Sequence, residues 1–153
     1  MIVNATVETL EAYRDQIVGL TASFLSASAQ LRDVGIAIDQ FFHVWQALIQ
    51  SGIGVVLLAV DDGKVAGALG GLIAKEDYCN DRFAQEGFWF VGPDHRRSGV
   101  GGQLFDAFEQ WAKDKGAARV RMIHLSDSMP EAVARIYEDR GYRKVQTVYG
   151  EEV

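Results

Sequence analysis

Cysteine is almost missing from this chain of 153 residues. Cys79 stands alone, so no internal disulfide can form, and a reducing compartment fits. No cysteine–histidine pairing is suggested, and Cys79 reads as a small semi-apolar filler rather than a nucleophile. Long hydrophobic runs are missing too. None reaches membrane-spanning length, and no basic-then-apolar segment opens the chain, so the expectation is a cytoplasmic protein without membrane contact. Basic charge is in deficit. Fifteen Lys and Arg against 21 Asp and Glu leave a net charge of −6, which argues against general nucleic-acid affinity and suits a cationic or amine substrate. With two prolines, no repeat and no low-complexity tract, nothing reads as a linker, and residues 1–153 are expected to form a single domain. The apolar share, 48%, is enough for a sizeable core.

The most informative stretch is Trp89 to Phe105, W-F-V-G-P-D-H-R-R-S-G-V-G-G-Q-L-F. Phe88 to Val91 is a short apolar run suited to a buried strand, and Gly92-Pro93 ends it because proline cannot continue a central strand. After the loop, Leu104, Phe105, Phe108, Trp111 and Ala112 recur at the spacing of one helical face. Strand, glycine-rich turn and helix start together make an anion site. The first amides of a helix lack intrahelical partners, its dipole is positive there, and glycine admits a close phosphate oxygen. Arg96 and Arg97 add positive charge, so a diphosphate-bearing ligand is expected. A P-loop would need a lysine after the glycines, and none follows. A dinucleotide fingerprint would need glycine where Leu104 stands. The spacing that does fit is R-x-x-G-x-G, from Arg96 through Gly99 to Gly101.

Read in order, the chain opens with a short edge strand, Ile2 to Thr6. A helix of about five turns follows, marked by Leu10, Tyr13, Ile17, Leu20 and Phe24. Ser26 to Gln30 carries no clear end signal, and Val34-Gly35 falls in a connection. Asp39 can cap a second helix with the face Phe41, Phe42, Trp45, Leu48 and Ile49, ended by Gly52, and His43 lies on its solvated side. Gly54 to Val60 is a continuous apolar strand, and Asp62-Gly63 is a type I′ hairpin turn into Val65 to Ile73. Gly67, Gly70 and Gly71 imply a bulge or a close backbone approach. Residues 75–84 read as a loop or short helix. The helix after the glycine loop ends at Gly116, and Arg119 to Leu125 is a strand, so the β-α-β unit implies a parallel neighbour. Ser128-Met129-Pro130-Glu131 is a capping box starting a helix that Gly141 ends, and Tyr142 to Tyr149 alternates into a final strand. The order is β-α-α-β-β-β-α-β-α-β, an α+β or mixed α/β fold with helices on both faces of one sheet.

The glycine loop resembles the acetyl-CoA pyrophosphate loop of the GNAT superfamily of N-acetyltransferases, and the element order is similar to that fold over nearly the whole chain. The family's penultimate helix usually carries N-x-x-A-x-x-x-Y-x-x-x-G-[FY]. Tyr137 to Tyr142 fits its end, while Pro130 stands for the Asn and Val133 for the Ala. The resemblance implies an acetyl-CoA-dependent N-acetyltransferase acting on a small-molecule or peptide amine by direct attack in a ternary complex. It implies a mixed, mostly antiparallel sheet and no metal, and it leaves a homodimer open. By resemblance, Arg96, Arg97, Ser98, Gly99, Val100, Gly101 and Gly102 hold the pyrophosphate. The N–H groups of Phe90 and Val91 meet the pantetheine and the carbonyl. Tyr137 is the proton donor to the thiolate, against a plain role completing its helix face. Glu86 is the general base, but it lies seven residues before Pro93 where six is commoner. A one-residue slip reverses the face to which a strand side chain points. Either a bulge restores Glu86 or it is a solvated strand end. Asp81, Glu76 and His124 are the substitutes. Two other readings compete with an enzyme: a non-catalytic acyl-CoA-binding domain of this fold, and a nucleotide-binding domain using the same loop. Trp45, Phe41 and Phe42 read as core aromatics before any acceptor pocket.

Overall fold

Strand β2 explains the layering. The computed structural model describes residues 1–26, 28 and 37–151, and in it Gly54–Asp61 forms β2 with six consecutive buried residues. A strand buried on both faces has no polar alternation to keep, which is why this run is uniformly apolar. Val56, Leu58 and Val60 point to one side, with Leu10, Ile17, Phe42, Trp45, Phe88 and Phe90. Val55, Leu57 and Ala59 point to the other, with Leu69, Ala84, Leu104, Phe108 and Ala112. Helices therefore cover both faces, as expected.

The chain divides into two compact units, residues 1–123 and 124–153. The first holds a five-stranded sheet in the order β1-β2-β3-β4-β5. Strand β1 (Ile2–Asn4) pairs antiparallel with β2. Next come α1 (Val7–Ala12) and α2 (Arg14–Leu25), two helices where one was expected. The break is Tyr13, whose φ of −101° and ψ of 11° leave the helical region for one residue. Leu10, Ile17 and Thr21 are nevertheless all buried. Val34-Gly35 and most of the serine–alanine run lie outside the described residues.

Helix α3 (Ile38–Gln50) buries Phe42 and Trp45 and ends before Gly52, whose φ is 75°. Its N-cap is Ala37 rather than Asp39, which sits in the first turn and pairs with Arg14. His43 is exposed. Trp45 packs edge-on to Phe88 at 4.9 Å between ring centres, so the aromatic cluster is core. Between β2 and β3 (Lys64–Lys75), Asp62 and Gly63 have φ of 46° and 73°, the two positive values a type I′ turn demands. Strand β4 (Arg82–Val91) pairs antiparallel with β3 and starts well before the apolar run that announced it. The stretch expected to be a loop thus shortens to residues 76–81. Helix α4 (Val100–Asp114) crosses to β5 (Arg119–Arg121), which lies parallel to β4 as the β-α-β pattern requires. Among the described residues no helix is long and apolar enough to cross a membrane.

In the second unit, α5 (Pro130–Asp139) starts at its proline, but no side chain caps it. The cap position is Met129 in the left-handed region, φ 47°, so the expected Ser128 capping box does not form. Gly141, φ 82°, ends the helix. The final strand is not formed. Residues 142–150 have no regular structure, and Val145, Val148 and Tyr149 are 69%, 79% and 92% exposed. An alternating run supplies a face, but a strand also needs a neighbouring backbone to bond.

Candidate functional site

The site grows from β4. Its N-terminal part lies between two neighbours, with Phe83, Ala84 and Gln85 paired to β3 on one side and to Arg119, Val120 and Arg121 of β5 on the other. Beyond Gln85 the β5 ladder stops while the β3 ladder runs on to Val91. The strands part there, and among the described residues no strand pairs with that side of residues 86–91. Antiparallel partners alternate between pairs that exchange hydrogen bonds and pairs that do not. Gly92 donates to the Ala66 carbonyl at 2.9 Å, so alternation turns Phe90 toward Ala68 and turns Trp89 and Val91 toward the open side. Of the two backbone positions expected there, Val91 is therefore well placed. Phe90 is not: its N–H faces β3, and Trp89 takes the outward position instead. No local pattern in the sequence announces this, because it follows from ladder phase.

At the parting point the register with β3 jumps from Gly70↔Phe88 to Gly71↔Glu86. Gly87 is the extra residue of a β-bulge. Its consequence is the side on which Glu86 falls. A Cβ on Gly70 would run into the Phe88 ring, on the α3 side, whereas one on Gly71 would run into Phe108 of α4. Glu86 pairs with Gly71 and so points to the α4 side, opposite Phe88. The bulge compensates the seven-residue spacing to Pro93, and Glu86 is not a solvated strand end.

Glu86 is 5% exposed. Burial in this apolar layer pushes its pKa from 4.5 up to about 7, because the charged form loses hydration, and an N–H donated by Ile123 at 2.8 Å opposes the rise. The substitutes are otherwise engaged. Glu76 pairs with Arg121 at 2.6 Å, and Asp81 pairs with Arg119 at 3.1 Å. His124 is exposed in the second unit, 6.4 Å from Tyr137 between ring centres.

After β4, a short 3₁₀ turn (Pro93–His95) leads into the glycine loop. Arg97 and Gly99 both take positive φ, 69° and 87°, and swing the chain sharply into α4. Gly99 is the N-cap of α4, where a Cβ would meet nothing, so backbone conformation alone favours glycine there. Gly101 is different. A Cβ there would lie 3.2 Å from the Trp89 ring and 3.5 Å from Val91, so glycine lets the first turn of α4 approach β4. That turn contains no acidic residue, Arg96 and Arg97 are exposed beside it, and Ser98 turns its hydroxyl to the His95 carbonyl at 2.6 Å. Amides at a helix start without acidic residues and two arginines beside them suit a diphosphate.

The model of the acetyltransferase (GNAT) family matches residues 23–142, more than half of the chain. The chain belongs to the GNAT acetyltransferase family. Solved structures agree on the fold. A transcriptional regulator from Bacillus halodurans C-125 aligns over 100% of this acetyltransferase and 99% of its own chain, at 17% identity and a TM-score of 0.79. The aminoglycoside acetyltransferase meta-AAC0020 from an uncultured soil metagenomic sample aligns over 100% and 95%, at 18% and 0.77. A ribosomal-protein-alanine N-acetyltransferase from Brucella melitensis biovar Abortus 2308 aligns over 100% and 98%, at 19% and 0.74. At such identities the likeness concerns fold. No functionally curated protein matches the chain.

The first unit of this acetyltransferase thus brings together Glu86, the open side of β4 and the whole loop Arg96–Gly102. Tyr137 belongs to the second unit. It is 8% exposed, and its carbonyl accepts from the Tyr142 amide at 3.0 Å, which closes the helix end against Gly141. Gly87 and Ile123 escaped the sequence reading. The odd spacing of Glu86 and the glycines at 70 and 71 were the signals that pointed to the bulge.

Proposed function

We propose that this acetyltransferase moves an acetyl group from acetyl-CoA to a primary amine by direct attack in a ternary complex, with residues 1–153 acting as one catalytic domain. The observation that carries this reading is Glu86, a buried carboxylate with a pKa of about 7 at the point where β4 and β5 part. An amine attacks only in its neutral form. A carboxylate poised near neutrality can take its proton directly or through one water, an effect typically worth ~10²–10⁴ in rate. Acetyl-CoA supplies an acetyl group activated as a thioester. The loop Arg96–Gly102 would hold its diphosphate on the first amides of α4 and on the two guanidinium groups. The outward N–H of Val91 suits the pantetheine or the carbonyl, and one donor aimed at a developing oxyanion contributes ~2.7–4 kcal/mol.

Tyr137 is the proposed proton donor to the departing thiolate, since a phenol is protonated at neutral pH. The helix motif ending in Gly141-Tyr142 carries that assignment. The acceptor is proposed as a small-molecule or peptide amine. One similar fold is named for an aminoglycoside and was solved with sisomicin, and another is named for ribosomal-protein alanine. The net charge of −6 favours a cationic acceptor of either kind.

Thermal unfolding with acetyl-CoA, against ATP and NAD, tests the ligand. At about 100 times Kd the stabilisation is ~2.7 kcal/mol, several degrees for a domain of this size. A rise with acetyl-CoA and CoA alone supports the reading, and a rise with ATP or NAD overturns it. An amine panel then tests chemistry. Loss of turnover in Tyr137→Phe with the acetyl-CoA shift retained supports the donor role. A wild-type protein that binds acetyl-CoA but acetylates nothing in the panel favours a binding domain instead.

A further inference from the structure

The Ile123 amide meets Glu86 just past the end of β5, where side-chain contacts gather around a short ladder. The β4–β5 ladder covers three residue pairs, and Ala118 adds one N–H bond to the Arg82 carbonyl at 2.8 Å. So short an edge strand is weakly anchored by its backbone. Arg121, the last residue of β5, is clamped twice. Its Nη2 lies 2.6 Å from Glu76 Oε1, and the Glu76 side chain is 8% exposed. Its guanidinium carbon sits 3.8 Å from the centre of the Phe83 ring. Glu76 is itself fixed, because its N–H donates to the Asp81 carbonyl across the β3–β4 loop, and Arg119 reaches both acids. Two residues past this clamp, the Ile123 N–H meets Glu86 Oε2 at 2.8 Å. The carboxylate therefore continues the β4–β5 connection where the ladder has stopped.

We propose that Arg121, gripped by Glu76 and stacked on Phe83, is a positioning residue that keeps the Ile123 amide on the Glu86 carboxylate. The functional importance of this contact rests on Glu86 being the base. The amide holds one carboxylate oxygen, which leaves the other to meet the acceptor, and it favours the ionised form against burial. Around Glu86, β3 contributes Gly71, α4 contributes Phe108, and β5 leads to the Ile123 amide. Among the described residues no charged side chain pairs with it.

The test follows the Ile123 amide by NMR through a pH titration of the full chain, which requires no acceptor. In the wild type its shift should titrate with a midpoint of about 7, and Glu86→Gln should abolish that step, which identifies the titrating group. Arg121→Met keeps a long side chain over Phe83 but cannot pair with Glu76. Its midpoint should rise by about one pH unit as the amide loosens. Glu76→Gln is the milder second variant, with a smaller rise in the same direction. Midpoints unchanged in both variants, even with lowered thermal stability, would overturn the proposal, because a merely structural role predicts that result. The base reading fails separately. If the midpoints move while the pH–rate profile stays put, Arg121 positions Glu86 but Glu86 is not the base.

Discussion

The two halves of β4, Arg-Phe-Ala-Gln and Glu-Gly-Phe-Trp-Phe-Val, differ in how their backbones are bonded. Residues 82–85 are bonded by β3 and β5 together, so their backbone groups are satisfied on both sides and Ala84 is wholly buried. Along residues 86–91 the β3 ladder continues, and among the described residues no strand pairs with their other side. Gly87 marks the boundary. The difference teaches that in this acetyltransferase the proposed site lies on the part of the strand whose neighbour has left. Such a device needs a rigid half next to an unpaired half, because only a fixed backbone aims its N–H groups accurately.

The sharpest way to break the contrast is Glu86→Gln. It should lower kcat/KM by ~10²–10⁴ while the thermal shift with acetyl-CoA persists, as amine-panel kinetics and melting curves would check. Equal turnover in both proteins would return β4 to a purely structural role.

The same substitution should change stability in the opposite sense. Folding raises the Glu86 pKa from 4.5 to about 7, so the native state holds its proton more tightly than the unfolded chain. The contribution is favourable below pH 4.5 and disappears as pH rises through 7, which leaves a burdened carboxylate worth about 3 kcal/mol at pH 8. Glu86→Gln should therefore be more stable than the wild type at pH 8, and the advantage should fade toward pH 5. Urea unfolding at both pH values reads this directly.

A smaller effect is expected at the boundary. In Gly87→Ala the new methyl would sit 2.8 Å from the Trp45 ring, which has to shift. The cost should be ~1–3 kcal/mol of stability, with turnover falling as the bulge deforms. The smallest effect belongs to the loop. Gly99→Ala meets no neighbour but must adopt a φ of 87°, so about 1 kcal/mol of stability should be lost. The acetyl-CoA shift should shrink as well, since the first turn of α4 would be misaimed.

Much of this was legible from local pattern. Asp62-Gly63 needs only its own two residues to choose a type I′ turn, and the apolar run of β2 declares burial on both faces. The glycine loop and the face of α4 are similarly local. Pattern went astray where a partner decides. Residues 142–149 alternate like a strand and form none. Residues 75–84 read as loop because their polarity was visible and their pairing with β3 was not. Phe90 was expected to offer its N–H, yet ladder phase turns that group into the sheet.

What the sequence alone determined are the features whose physics acts over a few residues: turn conformations, helix faces, the glycine loop and the family to which they belong. Tertiary structure decided the chemistry of Glu86. Its raised pKa comes from an apolar layer built by β3 and α4, its facing from a bulge opposite Gly71, and its hydrogen bond from Ile123, 37 residues away. Desolvation and pairing depend on what surrounds a group in space, and only the folded chain brings those neighbours to it.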